Sequence, residues 1–312
     1  MGFRKEGKER CSGELILKGS LMSKLKDFDL AIAAAENTPR GYLTENGNYD
    51  SYMSNEAWGA YLSAMDPKHR MQFDDGSGGE LKEKNGRPPK MASFASSSRM
   101  AYKCSKGIRN FAFEKQLSTV IGGTANLDGY WEGNGKHIFV EAKCREPYSH
   151  KSPEIIRQNY KDLYIFLQDQ LPDMFSVTME DIPGTRDMRV AFTCRGKEVI
   201  HFDMKQMLCH LLGVANRMML DRVIDKHILF LYLLYNPAEL DLPPKSQEEI
   251  MDIYQDTCAA IEGYDFVPIF GCVIDFLRKQ KNYGIEDHEV DLLKSSFRFA
   301  LCDQNTYESY FK

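Results

Sequence analysis

Residues 124 to 146, TANLDGYWEGNGKHIFVEAKCRE, leave the backbone little freedom. Two β-prone runs, Thr124 to Trp131 and Lys136 to Cys144, flank Asn134-Gly135, a pair that accepts φ > 0 at both positions and closes a two-residue hairpin. A loop of that length fixes the register, so that Gly133 faces Lys136, Asp128 faces Glu141 and Asn126 faces Lys143. Alternation then predicts one core face from Leu127, Gly129, Trp131, Ile138, Val140 and Ala142. The other face carries Asn126, Asp128, Tyr130, Phe139, Glu141 and Lys143.

Carboxylates directly opposed across an antiparallel pair have Cβ atoms roughly 5 Å apart and repel each other. Lys143, two residues beyond Glu141, offers a single positive charge. A divalent cation would satisfy both acids and leave the ammonium to face a water or a phosphate. Ligation by oxygen alone suits Mg²⁺ or Mn²⁺ better than zinc.

This order of residues, LDG at 127 to 129 and then EAK at 141 to 143 closing an apolar strand, resembles the PD-(D/E)XK, or restriction-endonuclease-like, nuclease superfamily. Leu127 stands where the family usually has proline. The wider context, RPPKMASFASSS before the hairpin and FDMKQMLCHLLG after it, is similar to a group of bacterial restriction endonucleases. Alone, an LDG turn or an EAK strand end is ordinary; it is the pairing in register that carries the resemblance.

The resemblance implies an α/β fold with a mixed central β-sheet flanked by helices, and metal-dependent hydrolysis of phosphodiester bonds, in DNA before RNA. It makes Asp128 and Glu141 metal ligands and Lys143 the catalytic lysine. Many members carry a further acid on the helix before the hairpin, and FEKQL at 113 to 117 offers Glu114 there. It also makes Lys205 and Gln206 candidates for holding a phosphate or the attacking water. Double-strand cutting of the restriction type implies a homodimer by analogy. The rival from another class is a catalytically inactive nucleic-acid-binding or regulatory protein on the same fold.

At 312 residues and 43% hydrophobic the chain can bury a full core. Residues 1–90 read as a partly irregular extension, with a helix over 20–36 and a Gly- and Pro-rich loop over 74–89. Residues 91–312 read as the nuclease-like domain. No apolar run reaches the roughly 18 residues of a membrane span, and the first residues lack a signal peptide's hydrophobic stretch, so the expected location is cytoplasmic, away from membranes. Eight cysteines, none in a C-x-x-C pair, read as reduced core thiols.

A net charge of −5 argues against indiscriminate nucleic-acid binding, but Lys82 to Lys115 holds nine Lys/Arg against two Glu. Arg87 and Lys90, on the loop, and Lys103, Lys106 and Arg109, on an expected helix over 90–120, are the candidate phosphate contacts; a solvated helix face is the plainer alternative. Downstream, a helix carrying Ile155, Ile156 and Leu163 is expected, then a connective stretch from Phe175 to Asp187. A strand pair spans 189–203, and a helix capped by Asp203 places Gln206 and His210 on one side, the histidine reading as structural. KHILFLYLLYNP, 226–237, is apolar throughout, as a strand covered on both faces must be.

Overall fold

The computed structural model describes residues 25–44, 47–76, 79–148, 154–194, 196–198, 202–224 and 226–312. At its centre is a five-stranded mixed sheet of β3 (Ala112–Ser118), β4 (Thr124–Gly133), β5 (Lys136–Lys143), β10 (His227–Leu234) and β11 (Phe297–Cys302), in the spatial order β11-β10-β5-β4-β3. The first three form an antiparallel meander; β10 runs parallel to both β5 and β11. Asn134 and Gly135 adopt φ of 51° and 71°, the two left-handed positions the hairpin requires. The β4–β5 register runs from Gly133–Lys136 to Gly129–Val140, as the two-residue loop dictates.

Helix α6 (Met204–Leu220) and α8 (Phe266–Gln280) cover one face of this sheet. Asp203 caps α6 by accepting from the Gln206 amide. Gly213 lets α6 sit close, since a Cβ there would come within 2.7 Å of Ala125 Cβ and 2.9 Å of Leu117 Cβ. The opposite face is covered by α4 (Ser97–Ser105), α3 (Pro67–Asp75), α2 (Asn55–Ala64), α7 (Pro244–Gly263) and α1 (residues 25–35), which share one core with Ile138, Val140 and Leu231. Because helices close both faces, β5 is buried along almost its whole length and β10 is continuously apolar. A hairpin of β1 (Arg40–Thr44) and β2 (Gly47–Met53) precedes α2.

A second sheet joins β6 (Glu154–Arg157), β7 (Phe175–Asp181), β8 (Asp187–Cys194) and β9 (Lys197–Glu198). It carries α5 (Lys161–Gln170) beside it. Among the described residues no single helix is long and apolar enough to cross a membrane; α7 and α8 reach that composition only as a pair bent by 52°.

Four expectations need correction. The helix over 90–120 stops at Ser105, and 112–118 is strand, because Phe111 and Phe113 sit at a period of two beyond a turn through Gly107. Glu114 therefore stands on a strand, not a helix. Ile155 and Ile156 belong to β6, whose ladder partner β8 lies some way along the chain, and the stretch from Phe175 is strand β7, paired antiparallel with β8 directly after it. EDHEVDLLKSS, 286–296, which reads in the sequence as a short helix before a terminal tail, forms α9 (Asp287–Ser296), but Phe297–Cys302 after it is no tail and makes the edge strand β11.

The hairpin faces also differ in one place. Trp131 packs with Ile138 and Val140 on the α4 side, but Leu127 packs with Ala125, Leu117 and Phe139 on the α6 side. Strands β3 and β4 change face at the same level. On β3 the change falls at Glu114, whose φ is 53°; on β4 it falls at Asp128, where the ladder with β5 ends.

Candidate active site

The face change opens the sheet where the acids sit. Asp128 Oδ2 accepts from the Ala142 amide at 2.8 Å, substituting a side chain for a ladder carbonyl, and Oδ1 lies 3.5 Å from Ser98 Oγ at the start of α4. Glu141, on the neighbouring strand, turns toward α6: its Oε1 accepts from Lys143 Nζ at 2.5 Å, and its Oε2 lies 3.4 Å from His210 Nδ1. That last approach lacks hydrogen-bond alignment, so both atoms are buried without a hydrogen-bond partner. The two acids thus approach from different sides rather than from one face, yet they line a single cleft of about 550 Å³.

Glu114, Gln206 and Lys90 line the same cleft, together with Glu80, Arg145 and Glu146. Glu114 is pressed against Gly76, where a Cβ would lie 2.9 Å from its Oε2. Among the described residues of the lining, five carboxyls face three cations, Lys90, Lys143 and Arg145. The formal excess is two negative charges.

That excess shows in the acidities. Burial, then the Asp128 charge and that of Glu80, push the Glu114 carboxyl up to about 8. Burial and the neighbouring Glu141 raise Asp128 well above the usual carboxylate range. Burial raises Glu141 to about 7, with Lys143 holding it back. For Lys143, burial disfavours the ammonium, but Glu141 and Glu146 outweigh it and hold the group well above the ordinary lysine value. In this arrangement Lys143 is a cation, not a base. His210, 2% exposed, is driven down to about 3 by burial and then by Lys143, so its ring is neutral; it also hydrogen-bonds the Asn126 backbone.

The donor set of carboxylate oxygens with unmet negative charge suits a hard divalent ion. Among the described residues, however, no three His, Cys, Asp or Glu side chains already converge on one point where an ion would sit.

The basic residues do not form one track. Lys90 borders the cleft, its Nζ 2.8 Å from Glu80 Oε1. Lys205 lines a neighbouring concavity, donating to the Ile155 carbonyl at 3.2 Å. Lys103 joins buried Arg99 in binding Glu36, away from the cleft. Lys106 and Arg109 border a separate depression with Trp131 and Phe311, and Arg87 is exposed on a turn with Lys84.

Sequence reasoning did not single out Ser97, Ser98, Glu80 or Glu146 for the site. Ser97 Oγ donates to Glu146 Oε1 at 2.6 Å, and both side chains accept from the Cys144 amide, fixing the turn just after the Lys143 strand end. Ser96 caps α4 by accepting from the Arg99 amide, and that Ser97 and Ser98 also border the acids depends on the docking of α4. Glu80 lies on a loop with no pattern to mark it.

Comparison of the chain with protein-family models, with curated proteins and with solved structures finds no match in any of the three.

Proposed function

We propose that this protein is a metal-dependent endonuclease that hydrolyses phosphodiester bonds in nucleic acid, with DNA as the first substrate to test. The observation that carries the reading is the meeting of Glu114, Asp128 and Glu141, from three adjacent strands, with Lys143 in one cleft whose negative charge is unmet. The element order supports it: helix α4, the antiparallel meander β3–β5 and then, after the inserted second sheet and α5, helix α6 and strand β10 parallel to β5. That is the order expected of a restriction-endonuclease-like core.

Asp128 and Glu141 would hold Mg²⁺ or Mn²⁺, with Glu114 contributing directly or through water. A cation so held polarises a phosphoryl oxygen and lowers the pKa of a bound water. Lys143, kept charged by its acids, offsets negative charge building on the phosphoryl group. Gln206, on the first turn of α6, orients the phosphate or the water, while Lys90 and Lys205 sit where flanking phosphates pass. His210 hydrogen-bonds the Asn126 backbone behind the acids. The free thiols, from Cys104 to Cys302, suit a reducing, cytoplasmic setting.

The absence of a ready three-ligand arrangement among the described residues favours a second reading, a nucleic-acid-binding regulator without turnover. Plasmid and single-stranded DNA, each incubated with Mg²⁺, Mn²⁺ or EDTA, separate the two. The nuclease reading expects cutting that EDTA and Lys143→Ala abolish. Retention of DNA without cutting, and no metal uptake by calorimetry, would hand the case to the regulator.

A further inference from the structure

Beside the cleft lies a second concavity of about 670 Å³, walled by the Gly122-Gly123 loop, β6 and the first turns of α6. Asn126 and Gln206 line both spaces, so the two are continuous around the end of α6. A helix N-terminus often binds a phosphate, but here Glu154 Oε2 and Asp203 Oδ1 already accept from the Lys205 and Gln206 amides. The space offers something other than an anion hole.

Its lining mixes apolar side chains with two amides, two cations and the carboxylates of Asp187 and Asp203. Ile155 stands 55% exposed at the rim, although no described residue covers it, and Tyr160 and Ile156 continue the apolar wall. Asn126 and Gln206 present donor and acceptor together on one side, the chemistry that reads a base edge. Lys205 and Arg157 stand at the mouth. The wall is rigid: Asn159 Nδ2 donates to the carbonyls of Ile121 and Gly122, and φ of 96° and 109° at Gly122 and Gly123 lets the loop turn tightly. A flat heterocycle with polar edges and apolar faces matches such a space, and within a duplex those faces are already covered by the neighbouring bases of the stack.

We propose that this concavity receives the base of one unpaired nucleotide next to the scissile phosphate, so that the protein acts on single-stranded or locally opened nucleic acid. The inference rests on the nuclease reading for the position of the phosphate, and on the shared Asn126 and Gln206 for the path between the two spaces. It assigns base contact to Asn126 and apolar contact to Ile155. Gln206 stands at the junction of the two spaces.

Cys209 lines this concavity and not the catalytic cleft, and its thiol is half-buried, so it reports occupancy. The rate at which N-ethylmaleimide alkylates Cys209 in the full chain is followed by peptide mass spectrometry, with Cys258 and Cys272 as internal references, in EDTA so that nothing is cut. A single-stranded oligonucleotide at ten times its Kd should slow Cys209 about tenfold, while a blunt duplex at the same occupancy should not. Cys209→Phe, which fills the space, should raise the Kd for the single strand and leave that for the duplex unchanged. Equal protection by duplex, or no protection by either, overturns the proposal. Hydrolysis of bis(4-nitrophenyl) phosphate, which needs the acids but not the pocket, is measured alongside. Its absence counts against the catalytic reading, and absent protection against this one.

Discussion

Asp128 stands where its charge is costly: half-buried in the cleft, beside Glu141, and compensated chiefly by Lys143 and one backbone amide. Asparagine keeps an oxygen for the Ala142 amide and removes the repulsion. Asp128→Asn should therefore stabilise the metal-free protein, by on the order of 1 kcal/mol, while lowering cleavage by a factor of about 100 or more. Urea denaturation alongside a plasmid assay checks both; a less stable variant would mean the acid is held by more than geometry shows. Lys143 behaves in the opposite sense. Lys143→Met leaves Glu141 buried with its main counter-charge gone, and should cost about 3 kcal/mol. Both acids and the lysine were legible in the sequence because a two-residue turn fixes which residues oppose. The partners His210 and Ser98 were not, since each arrives on a helix whose docking no local pattern specifies.

At the scale of elements, the site exists because β3 and β4 change face together. Glu114 holds a left-handed backbone that costs a non-glycine residue about 1 kcal/mol or more, a strain retained at the acid itself. The position of α6 matters equally, since it brings Gln206 and His210 to the acids through close packing at Gly213. Gly213→Ala forces a methyl against Ala125 and Leu117. It should destabilise by about 1–3 kcal/mol and lower kcat more than it raises KM, as the helix shifts away from the strands. Thermal unfolding and steady-state kinetics test this; unchanged kcat in a folded variant would remove α6 from the catalytic account. Helix α6 itself was readable from its Asp203 cap and apolar spacing. Strand β11 was not, because its partner β10 is remote in sequence, and β3 and β7, each paired with the strand that follows it, lack a tight-turn signal like Asn134-Gly135 to mark them.

For the whole molecule, the raised carboxyls set a pH dependence. Glu114 at about 8 and Glu141 at about 7, against an ordinary 4.5, mean that the native state binds more protons than the unfolded chain between those values. The stability of the metal-free protein should thus fall as pH rises from about 4.5 to about 8. Ligand carboxyls must lose their protons to bind, so Mg²⁺ or Mn²⁺ should stabilise more at pH 8 than at pH 6. Denaturant midpoints at both values, with metal and with EDTA, measure the effect. A metal-induced gain that shrinks at higher pH would contradict a carboxylate site. The molecule's two cores, one on each face of the central sheet, hold that site between α4 and α6.

Local chemistry alone decided the hairpin, its register, the nearness of Asp128 to Glu141 and Lys143, the capped helix α6 and the doubly covered strand β10. Each of these follows from contacts only a few residues apart or from a single run of composition. Tertiary structure decided the face change at Glu114 and Asp128, the strand character of 112–118, and the arrival of Glu80, Ser98 and His210. Those depend on which distant surfaces pack together, and packing is a property of the assembled sheet and helices rather than of any one stretch of chain.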